Sequence, residues 1–151
     1  MTEGKVLSIH VVREDGGPPE RVESIAAVTD HGLQGDHRSR TGKSRQLTMI
    51  DRAKLDDVAT ELGHPVPEGM SRRQLEVSGL DLNALIGKTL HVGPVVVRVD
   101  SDCPPCNLME TSVGPGARAA MQNRGGLCCT VLQGGEIRQG QSVTVAPETD
   151  I

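Results

Sequence analysis

The stretch Val95-Val96-Val97-Arg98-Val99-Asp100-Ser101-Asp102-Cys103-Pro104-Pro105-Cys106 joins an apolar run directly to two thiols three positions apart. Valines at four of the first five positions suit a strand better than a helix, because branching at Cβ restricts χ1 against the preceding helical turn. The two prolines lack the N–H that a sheet ladder needs, so the strand has to end before them. The same pattern recurs outward along the chain in Val6–Val12, Gln46–Ile50, Leu127–Leu132 and Ser142–Val145, each bounded by Gly, Pro or Asp clusters. Some runs do not alternate strictly, which suits strands covered on both faces. A mostly β, barrel-like architecture with a few short helices is expected.

The clearest helix follows Asp51, where Ala53, Leu55, Val58, Ala59 and Leu62 recur at helical spacing before Gly63 and Pro65. It is expected to cover one barrel end. Shorter helices are expected near Leu82 and from Ala117 to Gln122, after the Gly114-Pro115-Gly116 breaker. Gly16-Gly17-Pro18-Pro19 reads as a hairpin loop, and no repeat or linker divides the 151 residues, so one domain over 1–151 is expected.

There is no Phe, Tyr or Trp, so aliphatic side chains and methionine must fill the core. Base stacking and aromatic cages for cations are thereby excluded. A net charge of −4 argues further against a nucleic-acid or anionic-membrane surface. No apolar run approaches the roughly 20 residues of a membrane span, and the first residues lack a signal-peptide pattern. A cytoplasmic location is expected, in which the four cysteines, all between Cys103 and Cys129, are thiols, ligands or catalytic groups.

Three chemistries suit Cys103-Pro104-Pro105-Cys106: a redox dithiol, half of a zinc site completed by Cys128, Cys129 or His37, or a nucleophilic thiol. Adjacent residues on a strand face opposite ways, so only one of Cys128 and Cys129 can join a site, and both also suit simple core filling. Gly32-Leu33-Gln34-Gly35-Asp36-His37, followed by Arg38, Arg40, Lys43 and Arg45 with no intervening acid, reads as an anion cradle or as a solvated charged loop. Arg72-Arg73 leads into an expected strand at Gln74-Leu75-Glu76-Val77, where alternation turns one arginine toward a pocket. Arg124-Gly125-Gly126 permits close backbone approach. His37 is a candidate general base for a thiol, whereas His10, His64 and His91 receive no role and the His31–His37 spacing matches no strong metal pattern.

In order along the chain, these stretches resemble the MOSC family, named after the C-terminal region of molybdenum cofactor sulfurases. The resemblance rests on Gly32–His37, Arg45–Ile50, Arg72–Leu82, Leu85-Ile86-Gly87, Leu90–Gly93, Pro105-Cys106, Arg124-Gly125-Gly126 and Gly134–Gly140. It implies a mostly β barrel-like fold and a pocket whose working residue is the Pro-Cys cysteine, here Cys106, with Cys103 as a secondary candidate. It also implies His37, Arg45, Arg73 and Arg124 as pocket residues around Cys106, with Arg38 and Lys43 as further anion-binding candidates. Gln74 stands where many members have Asn, Gln141 where many have Asp, and the family's pocket aromatics are absent. A compact stand-alone form, without the N-terminal β-barrel domain of the amidoxime-reducing relatives, is expected.

The function expected first is sulfur handling. Cys106 carries sulfur as a persulfide, or acts on a small anionic sulfur-containing substrate by sulfur transfer or carbon–sulfur bond cleavage. A sulfur-donor protein would be its partner. The alternatives are a module that binds a molybdopterin-type cofactor without turnover, and a zinc-stabilised domain using Cys103, Cys106 and Cys128 or Cys129. The cofactor is accordingly of molybdopterin type or none.

Overall fold

The computed structural model describes residues 3–43 and 45–147. Its strands are β1 (Gly4–Val11), β2 (Glu20–Val22), β3 (Ser24–Val28), β4 (Gly32–Leu33), β5 (Leu47–Asp51), β6 (Leu75–Ser78), β7 (Thr89–Val92), β8 (Val95–Asp102), β9 (Leu127–Gln133), β10 (Gly135–Arg138) and β11 (Ser142–Val145). The α-helices are α1 (Arg52–Leu62), α2 (Asn107–Val113) and α3 (Ala117–Ala120), with a 3₁₀ turn at Leu82–Leu85. No helix among the described residues is long and apolar enough to cross a membrane.

Seven strands close on themselves in the order β11, β7, β8, β9, β5, β6, β1, with β1 pairing back onto β11. Closure removes free edges from the barrel. The neighbouring pairs are antiparallel except β5 and β6, which run parallel. Parallel neighbours require a crossover, and α1 lies within it. β2 extends the wall beside β1 as a hairpin whose loop holds the Gly16–Pro19 turn, and β10, β3 and β4 form a separate three-stranded sheet.

Alternation places Leu47 and Met49 of β5, Val97 and Val99 of β8, and Leu127, Cys129 and Val131 of β9 in one buried cluster inside the barrel. Ile50 faces the other way. It joins Leu55 and Val58 of α1, Met109 and Val113 of α2, and Ala117 in a second cluster outside the wall. β5 is thus buried on both faces along its full length, which accounts for its lack of polar alternation. Two aliphatic layers replace the missing rings.

α1 starts where its sequence signals put it: the Asp51 carboxylate accepts from the Ala53 N–H, and Gly63 closes the helix in the left-handed region. The expected helix at Leu82 is the 3₁₀ turn, and that at Ala117–Gln122 is α3, shorter by two residues. α2 was not anticipated. Its signal is the Met109–Val113 pair at i, i+4, weak beside the two prolines just before it.

Gly126 immediately precedes β9 at φ 93°, and a Cβ there would strike the Met49 carbonyl. Gly126→Ala is therefore expected to cost about 1–3 kcal/mol, readable as a lower urea midpoint at unchanged slope. An unshifted midpoint would contradict the close approach.

Candidate functional site

A cavity of about 230 Å³ lies against the outer side of the barrel wall, lined by Arg38, Arg40, Arg45, Thr48, Arg73, Gln74 and Cys103. Three segments build it. The loop between β4 and β5 supplies the first three arginines, the residues entering β6 supply Arg73 and Gln74, and the exit of β8 supplies Cys103. Thr48 belongs to β5 and points outward because its neighbours Leu47 and Met49 point in.

Hydrogen bonds fix each wall. Thr48 and Gln74 exchange two: the Thr48 N–H donates to Gln74 Oε1 at 2.8 Å, and the Gln74 N–H donates to Thr48 Oγ1 at 2.9 Å. Gln46 holds the arginine loop to the barrel, its Nε2 donating to Asp30 and its Oε1 accepting from the Val131 N–H. Arg73 is 8% exposed; its Nε donates to the Gly125 carbonyl at 2.5 Å and its Nη2 to the Pro104 carbonyl at 2.9 Å. This arginine therefore clamps the Cys103–Cys106 segment to the turn before β9. Arg45 and Arg72 both adopt left-handed backbone, at φ 61° and 66°, a costly conformation for non-glycine residues and one concentrated where surroundings dictate it.

The charges divide into satisfied and unsatisfied. Arg38 donates two hydrogen bonds to the buried Asp36 carboxylate and one to the Arg72 carbonyl. Burial alone would raise the Asp36 pKa, but the Arg38 fork, the nearby Gln74 amide and the Val12 N–H outweigh it and hold the acid at about 2. Gln74 Nε2 is close enough to favour that charge, yet it completes no hydrogen bond. No hydrogen bond or ion pair engages the side chains of Arg40 and Arg45 among the described residues.

Asp36 titrates from a value below its ordinary 3.8, so its stabilising effect is complete above about pH 4 and is lost as pH falls through about 2. Asp36→Asn is expected to lower stability by about 2 kcal/mol at pH 7, with the difference from wild type shrinking toward pH 2. Unfolding titrations at both pH values check this, and a pH-independent difference would contradict it.

Cys103 is 2% exposed at the cavity wall, and its N–H donates to the Gly126 carbonyl at 2.8 Å. The Cys128 thiol, facing away from the barrel interior on β9, bonds to it. That bond pulls the Cys103 pKa down, burial opposes it, Arg73 and Arg45 assist, and Asp102 opposes, for a net lowering. Cys128 is raised first by the same bond. The pair shares one proton, and that proton belongs on Cys128, because Cys103 is the thiol that lines the arginine cavity. Cys129 fills the barrel core, and burial raises its pKa.

Of the residues expected from sequence, the cavity brings together Arg38, Arg45, Arg73 and Cys103. Cys106 does not line it: this thiol stands half-buried at the N-cap of α2 and packs against the outer apolar cluster. Arg124 turns toward the helices, pairing with Glu61 and the Ala120 carbonyl. His37 is exposed, with its backbone N–H on the Val12 carbonyl, and Lys43 is exposed on the loop. The zinc alternative finds no ligand set: no three of His, Cys, Asp and Glu gather to hold a metal among the described residues. Sequence reasoning missed Thr48 and Gln74 as cavity residues, although Thr48 carried a signal in its outward register between two core positions.

A search of curated proteins finds no match to this chain. Among solved structures, the YuaD protein from Bacillus subtilis superposes with a TM-score of 0.79 at 15% identity, over 96% of this chain and 98% of that one. YiiM from Geobacillus stearothermophilus gives 0.74 at 17% identity over 95% and 75%, and YiiM from Escherichia coli gives 0.69 at 19% over 98% and 71%. At such identities the likeness speaks for the fold alone. The family model described as MOSC domain matches residues 36–144, a span from the buried Asp36 into the last strand of the barrel, and the chain belongs to that family.

Proposed function

We propose that this chain handles sulfur, with Cys103 as the nucleophile of the arginine-lined cavity and Cys106 as the thiol through which sulfur leaves. The observation that supports this most directly is the position of Cys103 on a cavity whose other walls are largely guanidinium groups. A thiolate is the reactive form of cysteine, and adjacent cations favour it. Cys103 attacks the outer sulfur of a donor R–S–S⁻. The donor's S–S bond breaks, R–S⁻ departs, and a new S–S bond leaves Cys103–S–S⁻. No oxidant is consumed, because sulfane sulfur only moves between thiolates. Cys106, carrying the Pro-Cys position of the family, then takes the outer sulfur from Cys103 and presents it to an acceptor from its partly exposed site at the start of α2. An already ionised Cys103 needs no general base, so exposed His37 has no part in the step.

A molybdopterin-type cofactor fits this cavity poorly. Its phosphate would suit Arg40 and Arg45, but about 230 Å³ is small beside the roughly 300–1,000 Å³ that ligands of drug size occupy. No aromatic side chain is available to stack on its rings. Protein purified from cells making the cofactor is expected to carry no stoichiometric molybdenum and no pterin fluorescence.

Incubation with sodium polysulfide tests the sulfur reading. The intact mass should rise by about 32 Da, with the added sulfur cyanide-labile and mapped to the Cys103–Cys106 peptide. Failure to gain that mass would refute it.

A further inference from the structure

Apart from the Cys103 sulfur, the cavity walls offer mainly donors. Gln74 is 1% exposed, and its Nε2 has no hydrogen-bond partner, an expensive condition for a buried amide. Thr48 Oγ1, also buried, accepts from the Gln74 N–H and keeps its own proton to give. Arg40 and Arg45 contribute guanidinium groups with no partner among the described residues. Among the described residues of the cavity lining, the Cys103 sulfur is the one side chain that faces these donors as an acceptor without already serving a backbone N–H, and Asp36, which Gln74 Nε2 approaches, is taken up by Arg38. A ligand presenting acceptor oxygens would satisfy them all, whereas one presenting N–H or O–H groups would find only the Cys103 sulfur to bond.

Charge narrows the ligand further. Asp36 offsets Arg38, but Arg40, Arg45 and Arg73 have no carboxylate partner. With Cys103 ionised, three cations face one thiolate, an excess of two positive charges. Small volume, donor-rich walls and a twofold positive excess together describe a compact dianionic oxyanion.

We infer that the cavity binds a small sulfur oxyanion of the thiosulfate type and that Cys103 takes its sulfane sulfur. The inference rests on the sulfur-handling role proposed above and names its substrate class. The Cys103 thiolate attacks the outer sulfur of ⁻S–SO₃⁻, the S–S bond breaks, and its electron pair leaves with sulfite, SO₃²⁻. Cys103–S–S⁻ remains. Atoms and charge balance without a proton, oxidant or reductant. Arg40, Arg45, Thr48 and Gln74 hold the oxygens of the substrate and then of the departing sulfite.

Purified full-length protein is incubated separately with sodium thiosulfate and with sodium polysulfide, following sulfite release and the gain of sulfur on the Cys103–Cys106 peptide. Thiosulfate should load one sulfur per chain with one sulfite released. Arg40→Gln, at an exposed position whose side chain has no partner, should raise the KM for thiosulfate about tenfold or more with kcat within about twofold. Arg138→Gln, on β10 and outside the cavity, should leave both unchanged, and sulfate should compete with thiosulfate. Loading by polysulfide without loading by thiosulfate overturns the substrate inference and leaves sulfur handling standing. Loading by neither removes both. Thiosulfate loading with a KM unmoved in Arg40→Gln overturns the oxyanion site.

Discussion

Cys103→Ala is expected to abolish sulfur loading, lowering the yield of persulfide on the Cys103–Cys106 peptide at least a hundredfold, as loss of a covalent nucleophile does elsewhere. Cys106→Ala should load normally from polysulfide and then deliver sulfur to an added thiol acceptor about tenfold more slowly or worse, since only the exit thiol is missing. The two variants separate roles that the Cys-x-x-Cys spacing leaves merged. Cys103 sits at the cavity wall at 2% exposure and Cys106 at the start of α2 with one side open, so the substrate meets the first thiol and an acceptor meets the second. Intact-mass and peptide mass spectrometry read both outcomes. If Cys106→Ala loses loading and Cys103→Ala keeps it, the assignment of nucleophile is reversed. Neither substitution should unfold the chain, because both exchange a small side chain for another and the buried Arg73 keeps its bonds to the Gly125 and Pro104 carbonyls.

Much of the barrel was legible because its strands carry strong local signals. The β-branched run at Val95, the apolar runs at Val6, Gln46 and Leu127, and the turn residues between them each specify a strand on their own. The cap and stop signals of α1 were equally local. The site was legible only in part, for physical reasons. Arg38 and Arg45 could be grouped as an anion cradle because they are close in sequence, and Arg73 because alternation had to turn an arginine inward. No local rule separates the two thiols, though: Cys103 reaches the cavity through its pairing with Gly126 just before β9, a contact across more than twenty residues. Cys106, one helical cap further on, is carried to the outer apolar cluster instead. Nor could sequence show that Arg124 is taken up by Glu61 of α1 rather than left for a ligand. The terminal amide of Gln74 is engaged on one side only, its Oε1 accepting from the Thr48 N–H while its Nε2 completes no hydrogen bond. That asymmetry became informative only when the cavity was in view.

Arg73→Met should be the most damaging single change outside the thiols. Methionine keeps the apolar stem but strands the carbonyls of Gly125 and Pro104, both of which lose a charged donor inside the protein. A cost of about 2–4 kcal/mol is expected from two such losses, seen as a lower urea midpoint. The second effect is on reactivity. Cys103 is kept as a thiolate below its ordinary value of 9.0 by the Cys128 bond first, against burial, with help from Arg73 and Arg45 and opposition from Asp102. Removing Arg73 leaves the Cys128 bond but deletes one of the two cations, so the pH at which Cys103 is half alkylated by iodoacetamide must move up. The thiolate's stabilising contribution is complete above 9.0 and is lost as pH falls through the lowered folded value. The stability deficit of Arg73→Met should therefore be larger at pH 9 than at pH 5. A merely structural clamp would lower stability equally at both pH values and leave the alkylation midpoint where it was, so the paired measurements separate a residue that holds the loop from one that also holds the charge.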